Sequence, residues 1–223
     1  MSLDPVPLSV RMQGRLDLYR AEPAVASRRF WEEPGLTRRY PGLLLLQLDV
    51  IRASADLMEE AARLLETGSR EAWARGLAAY FRHHAEEERG HVAWVREDLG
   101  VLGIPAETLA SRVPSPHAAA LTGAQYYWMR HAHPVALLGH LVALEWVSPD
   151  PTFFDAAADR SGLPREAFST FRRHAQLDPG HRRELAEMLD GLALTDAQEA
   201  LLGVSLLHAC QGVAGLYRAA LAD

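Results

Sequence analysis

Residues 174–181 read His174-Ala175-Gln176-Leu177-Asp178-Pro179-Gly180-His181. On an ideal helix, positions i, i+4 and i+7 fall within roughly 60° of one another, so His174, Asp178 and His181 share one face. Neutral imidazole combined with carboxylate is a ligand set suited to iron, manganese or zinc. Pro179 leaves two local readings open: it kinks the helix after Asp178, or Asp178 caps a new helix with Pro179 in its first position. Taken alone, the segment also fits ordinary packing with Asp178 as a cap.

The pattern recurs. Residues 84–91 read His84-Ala85-Glu86-Glu87-Glu88-Arg89-Gly90-His91, and both segments follow His-Ala-x-x-acid-x-Gly-His without a gap. Glu88 then matches Asp178, and His84 and His91 match His174 and His181. Glu88-x-x-His91 is also the spacing by which helical-bundle di-iron proteins turn a carboxylate and a histidine inward. Glu86 reads as part of a solvated face, and Glu87 stays an alternative to Glu88 because three glutamates are consecutive.

A further acid is expected between the two segments. Glu145 lies in the strongly apolar stretch Leu141-Val-Ala-Leu-Glu145-Trp-Val147. A buried carboxylate is costly unless paired, protonated or metal-bound. An earlier stretch, Leu45-Leu-Gln-Leu-Asp49-Val-Ile51, is related and hints at a repeat: an apolar helix with one acid, then a His–acid–His helix. Asp49 is the weaker candidate, since Asp56 and Glu59 lie on a similar polar stripe. The run Tyr126-Tyr127-Trp128 is a candidate pocket wall, with Arg130 available to a substrate carboxylate, although ordinary packing explains such a run as well. His131, His133 and His140 read as structural.

Helical periodicity runs through the rest of the chain, and strand signals are nearly absent. The punctuation predicts helices near residues 23–33, 42–67, 69–99, 116–132, 134–147, 164–178, 180–192 and 195–221. Gly68 is expected to stop the second, Ser69 to cap the third, and Thr195-Asp196 to cap the last. The fold class is all-α: one domain over residues 1–223, a bundle of about seven to eight helices, with residues 1–20 as an irregular N-terminal arm. Its 23 basic residues are all arginine, which excludes lysine Schiff-base chemistry, pyridoxal phosphate anchoring and a phosphate-loop lysine. A net charge of −6 argues against general nucleic-acid affinity. No uninterrupted apolar run reaches membrane-spanning or signal-peptide length, so no membrane partner and a cytoplasmic location are expected. The single cysteine, Cys210, reads as core.

The segment His174-Ala-Gln-Leu-Asp178-Pro-Gly-His181-Arg-Arg-Glu-Leu resembles the signature helix of the haem-oxygenase-like di-iron oxidases and oxygenases, also called iron-containing redox enzymes. They are structural cousins of the PqqC and TenA groups. Glu88-x-x-His91, the Asp98-Leu-Gly100 helix end and Glu145 extend the resemblance from about residue 40 onward. It implies metal ligands at Glu88, His91, Glu145, His174, Asp178 and His181. His84 falls where some members have a ligand, often a glutamate, and is the departure from the pattern. The resemblance further implies two labile ferrous ions, with manganese or zinc as occupants of isolated protein. It implies dioxygen and a small amine, amino-acid or fatty-acid-like molecule as co-substrates, and allows for a homodimer. The rival readings are a non-catalytic metal-binding or docking protein and a cofactor-free or hydrolytic member of the same fold. A haem oxygenase needs an axial histidine on an early helix, and no histidine precedes His83. A TenA-type thiaminase uses a mid-chain cysteine, and Cys210 is near the C-terminus.

Overall fold

Glycine and proline cut the chain into short connections between long helices. A computed structural model describes residues 6–222 and places ten α-helices there, with no strand among the described residues. In order they are α1 (Leu8–Tyr19), α2 (Ala21–Glu32), α3 (Leu36–Gly68), α4 (Ala74–Val101), α5 (Ala106–Ala110), α6 (Pro116–His131), α7 (Ala136–Glu145), α8 (Pro151–Ser161), α9 (Ser169–Asp190) and α10 (Asp196–Ala222). A 3-10 turn, Arg165–Phe168, leads into α9.

The all-α expectation holds, but the count is ten rather than seven to eight. One added helix is α1, within the segment read as an irregular arm. Leu8, Met12 and Leu16 recur every fourth residue and are buried, so a narrow apolar stripe is enough to dock it. Polar contacts finish the docking. Ser9 donates its N–H and its hydroxyl to the Asp190 carboxylate, each at 2.8 Å, and Arg11 and Arg15 pair with Glu199. Residues 1–5 lie outside the described structure.

Other boundaries also shift. Ser69 does not cap α4: its hydroxyl meets the Glu71 carboxylate in the connection, and α4 starts at Ala74. Pro179 neither ends nor restarts a helix, because α9 runs through it from Ser169 to Asp190. Thr195 does cap α10. Its hydroxyl accepts from the Gln198 N–H at 3.3 Å while the Gln198 side chain accepts from the Thr195 N–H at 2.9 Å, a reciprocal capping box.

The longest helix, α3, pairs along its length with α4, and the five-residue connection between them makes the pair antiparallel. α6 packs on α3, and α9 lies against α4. α10 packs against α2, α6 and α7. It is long and apolar enough to cross a bilayer by length and composition alone; here Leu202, Leu206, Ala209 and Leu216 are buried in the core. An aromatic cluster joins the N-terminal helices to the C-terminal half: Trp31 meets Phe153, Phe154 and Phe171 edge-on at 5.5–5.7 Å. Beside it, Tyr40 stacks on Phe168 at 4.2 Å and donates to the Ala167 carbonyl at 2.9 Å, which fixes the 3-10 turn before α9.

Where α7 crosses α10 the backbones nearly touch. A Cβ added at Gly139 would lie 2.3 Å from the Leu202 carbonyl oxygen and 2.7 Å from the Leu206 nitrogen. Both are backbone atoms and cannot swing away, so Gly139→Ala must push the helices apart. The expected result is a loss of about 2–3 kcal/mol in urea unfolding. Gly123→Ala on α6, with open space around its Cβ, is expected to be neutral or stabilising.

Candidate metal centre

α4 and α9 run antiparallel at the site, so the earlier histidine of each meets the later histidine of the other. The rings of His84 and His181 lie 4.6 Å apart, and those of His91 and His174 lie 4.7 Å apart. Around each pair gathers a carboxylate. His84, Glu87 and His181 offer ligand atoms all within 4.8 Å of one another, and so do Glu88, His91 and His174. The seven-residue spacing on each helix therefore serves two ligand groups rather than one.

The groups differ in how their imidazoles are held. His174 presents Nδ1 to the Thr170 carbonyl at 2.8 Å, which leaves Nε2 for a ligand role. Thr170 is itself fixed, because its N–H donates to the buried Asp98 at 2.8 Å and the Ser169 hydroxyl donates to the same carboxylate at 2.6 Å. Asp98 thus caps α9 from the end of α4, one turn before the first ligand. His91 stacks on Trp94 at 4.0 Å, and its Nδ1 lies 2.9 Å from Glu88 Oε1. That contact is close but not aligned as a hydrogen bond, and His91 Nδ1 has no partner. Two donor atoms about 3 Å apart that do not bond each other have the spacing of neighbouring ligands on one ion, given metal–ligand bonds of about 2.1 Å.

His84 is fully buried, and neither of its ring nitrogens has a hydrogen-bond partner. Its Nε2 lies 3.3 Å from Glu145 Oε1 and its Nδ1 3.8 Å from Glu87 Oε2. Burial disfavours the charged imidazole, but Glu145, Glu87 and Glu88 outweigh it and raise the His84 pKa. Burial would likewise raise the Glu88 carboxyl, yet His91, His174 and His84 hold it below its usual value. Glu145, at the last position of α7, also leaves Oε2 buried and unpartnered.

Asp178 sits between the two histidines of α9 and accepts from the Ser148 hydroxyl. Burial pushes its pKa up to about 7, with Glu145 and Glu88 adding to the rise against the Ser148 contact and Arg182. Glu88, Glu145 and Asp178 thus crowd their charges together, while orphaned imidazole nitrogens face the same space. A cation bound by these groups resolves both costs, and the mixed nitrogen–oxygen donor set suits a divalent transition metal.

All seven residues singled out from the sequence lie in this region, but their grouping differs from the sequence reading. Glu87, read as an alternative to Glu88, joins the other group instead. Helical spacing carried that signal, since His84–Glu87 and Glu88–His91 are both i, i+3 pairs. Ser148 and Thr170 carry no motif and were not legible. Asp49 is engaged elsewhere: Arg112 pairs with it at 3.1 Å and the Ser115 N–H donates to it at 2.9 Å. Tyr126, Tyr127 and Trp128 stay outside the cavity beside the metal groups, and Arg130 pairs with Glu60 at 3.0 Å. His140 is buried, as the structural reading expects, though neither ring nitrogen has a partner.

The groups open onto a cavity of about 440 Å³, within the usual range of small-molecule sites. Its walls are mostly apolar, with Leu43, Ile51, Met58, Leu141, Phe154 and Phe171 among them, and Glu88, Glu145, His174, Asp178 and His181 reach its surface.

The sequence profile of the iron-containing redox enzyme family matches residues 52–211, and the chain belongs to that family. No functionally curated protein matches it. Among solved structures, a domain with a heme oxygenase-like fold from Shewanella denitrificans is similar, with 16% identity and a TM-score of 0.74 over 96% of this chain and 89% of that one. A TenA homologue from Pseudomonas syringae has 13% identity and a TM-score of 0.74 over 100% of this chain and 96% of its own. A TenA homologue from P. horikoshii has 10% identity and a TM-score of 0.69 over 96% and 98%. At such identities the likeness establishes the heme oxygenase-like fold alone.

Two predictions follow from the geometry. His91→Ala and His181→Ala each remove one member of a different group, so each variant is expected to lose about half of the bound ferrous or cobaltous ion by elemental analysis, with helical content unchanged. Full stoichiometry in both would mean the groups are not metal sites. The second concerns metal-free protein. A folded-state pKa near 7 for Asp178, above the ordinary aspartate value, means that the folded chain holds a proton the unfolded chain has lost. Stability from this group therefore falls as pH rises from about 4 to 7. Metal-free Asp178→Asn is expected to be more stable than wild type at pH 8, on the order of 2 kcal/mol, with the gap closing below about pH 4. Urea titrations across that range measure it.

Proposed function

We propose that this member of the iron-containing redox enzymes is a non-haem oxidase or oxygenase. It binds two ferrous ions in the paired histidine–carboxylate groups and uses dioxygen to oxidise a small organic molecule held in the adjoining cavity. The observation that carries the reading is the pair of histidine–carboxylate groups, shielded from solvent except at Glu87, with unpartnered atoms of His84, His91 and Glu145 among them, beside an apolar chamber. Ferrous iron, when bound, supplies one electron per ion to dioxygen, so any further electrons come from the substrate or an external reductant.

The chain's own contribution is positioning and charge. Thr170, held by Asp98, sets the ring of His174. Ser148 donates to one oxygen of Asp178 and leaves the other without a side-chain hydrogen bond. Glu88 is kept ionised by its three imidazole neighbours, which suits it to a ligand role at neutral pH. Glu145, 3.3 Å from His84 and with a free buried oxygen, would add a carboxylate to the His84 group. The apolar walls keep bulk water from the reacting end of the chamber, which strengthens every electrostatic contact there.

A hydrolytic reading with a cysteine nucleophile finds no support in this site. Cys210 is buried on α10, does not line the cavity, and burial raises its thiol to about 11, so it stays protonated at neutral pH.

The test is an anaerobic ferrous titration followed by dioxygen uptake. Wild type is expected to take up two ions per chain, to give a coupled pair in Mössbauer spectra, and to consume dioxygen. Glu145→Ala is expected to lose about tenfold or more in iron affinity or uptake rate. Glu86→Ala, exposed and paired only with Arg89, is expected to stay within about twofold of wild type. A single uncoupled iron, or tightly held zinc with no uptake, would overturn the di-iron reading.

A further inference from the structure

The proposed chemistry leaves an electron shortfall, and a side chain outside the chamber is placed to meet it. Reduction of dioxygen to water takes four electrons. Two ferrous ions give two, and a substrate oxidised by two electrons gives the others. With no substrate in the chamber, the second pair must come through the protein.

Trp94 stands on α4, one turn beyond His91. Its ring lies 4.0 Å from that imidazole and nearly parallel to it, at 24°. It also meets the ring of His174, a member of the same ligand group, edge-on at 5.7 Å. Glu88 and His174 line the chamber, whereas His91 and Trp94 do not. Trp94 is only half-buried, so its indole reaches solvent by a route other than the chamber. The other four tryptophans each lack one part of this arrangement. Trp31 and Trp146 are buried. Trp73 and Trp128 are half-buried like Trp94, but the imidazoles they meet are His133 and His208, which belong to neither ligand group. Tyr80 lies 5.1 Å from the ring of His84, yet it is buried and its hydroxyl has no partner to take a proton.

We propose that Trp94 is a redox relay between the iron groups and the protein surface. After the centre has reacted with dioxygen, the indole gives it one electron through the stacked His91. The indole releases its N–H proton to water and becomes a neutral radical. Proton loss accompanies electron loss because Arg173 lies over the same ring at 5.1 Å, an attraction for the neutral indole that turns to repulsion for a cationic one. A one-electron donor of the ascorbate class meets the exposed part of the ring and returns an electron, and a proton from water restores the indole. Two such cycles supply the missing pair. The inference rests on the di-iron reading and adds to it the path by which outside electrons arrive.

Freeze-quench electron paramagnetic resonance and peptide mass mapping test it. Full-length protein loaded anaerobically with ferrous iron is exposed to dioxygen without substrate, with and without ascorbate. Wild type is expected to show a transient tryptophan radical and, without ascorbate, oxygen addition at Trp94 but not at Trp73 or Trp128. Ascorbate should abolish that modification. Trp94→Phe keeps an aromatic ring on His91 but resists oxidation, so the radical should be lost. Trp94→Tyr should show a tyrosyl radical in its place. Iron stoichiometry and circular dichroism should match wild type in both variants, which separates a relay from a packing role. Dioxygen uptake by wild type with no radical, a tyrosyl signal in wild type, a radical that survives Trp94→Phe, or equal modification of the three half-buried tryptophans would each overturn the relay and leave the iron reading standing. Failure of the wild type to bind iron or to consume dioxygen would overturn both.

Discussion

The structure turns on the removal of four imidazoles and several carboxylates from water between α4 and α9. Such groups are expensive to bury unless each finds an opposite charge, a hydrogen bond or an ion. Some costs are met within the protein. Glu88 is held ionised by its histidine neighbours, and His174 is tied to Thr170. Others are not met, and the unpartnered nitrogens of His84 and the free oxygen of Glu145 are the clearest of them. A helical bundle that leaves these atoms facing one space has given up stability there, which is the usual mark of a site kept for chemistry rather than for packing.

The supporting architecture exists to hold those groups in register. Asp98 ties the end of α4 to the start of α9, so the two ligand helices are fixed to each other one turn from His174. α7 delivers Glu145 from the other side, and its position depends on the bare backbone contact at Gly139 against α10. The aromatic cluster around Trp31 then seats α2 over the remaining side of the cavity.

Much of this was legible in the sequence. Helical periodicity gave the fold class and most of the long helices, and the repeated His–acid–His spacing pointed to residues that the structure brings together beside one cavity. What escaped was the pairing between helices. Periodicity places His84, Glu88 and His91 on one face, but it cannot say that His84 and His91 meet different partners on α9. That is a property of antiparallel packing, visible only when both helices are present. The same holds for Ser148 and Thr170, which act through contacts with no fixed spacing. α1 escaped for another reason: three apolar residues among polar ones make too weak a stripe to separate from an irregular arm, and its docking depends on Asp190 and Glu199 far along the chain.

The antiparallel pairing sets unequal limits on change. Side chains between the histidines, such as Glu86 and Arg89 on α4 or Gln176 on α9, face outward and can be exchanged without moving a ligand. Chain length there cannot. One residue inserted between His84 and His91 turns the later part of α4 by about 100° and carries one histidine away from its partner on α9. The same insertion in α9 does equal damage, and only a matched change in both helices could restore either pair. Composition between the histidines is therefore free to change, while changes of length that keep both pairs are limited to the connections outside them.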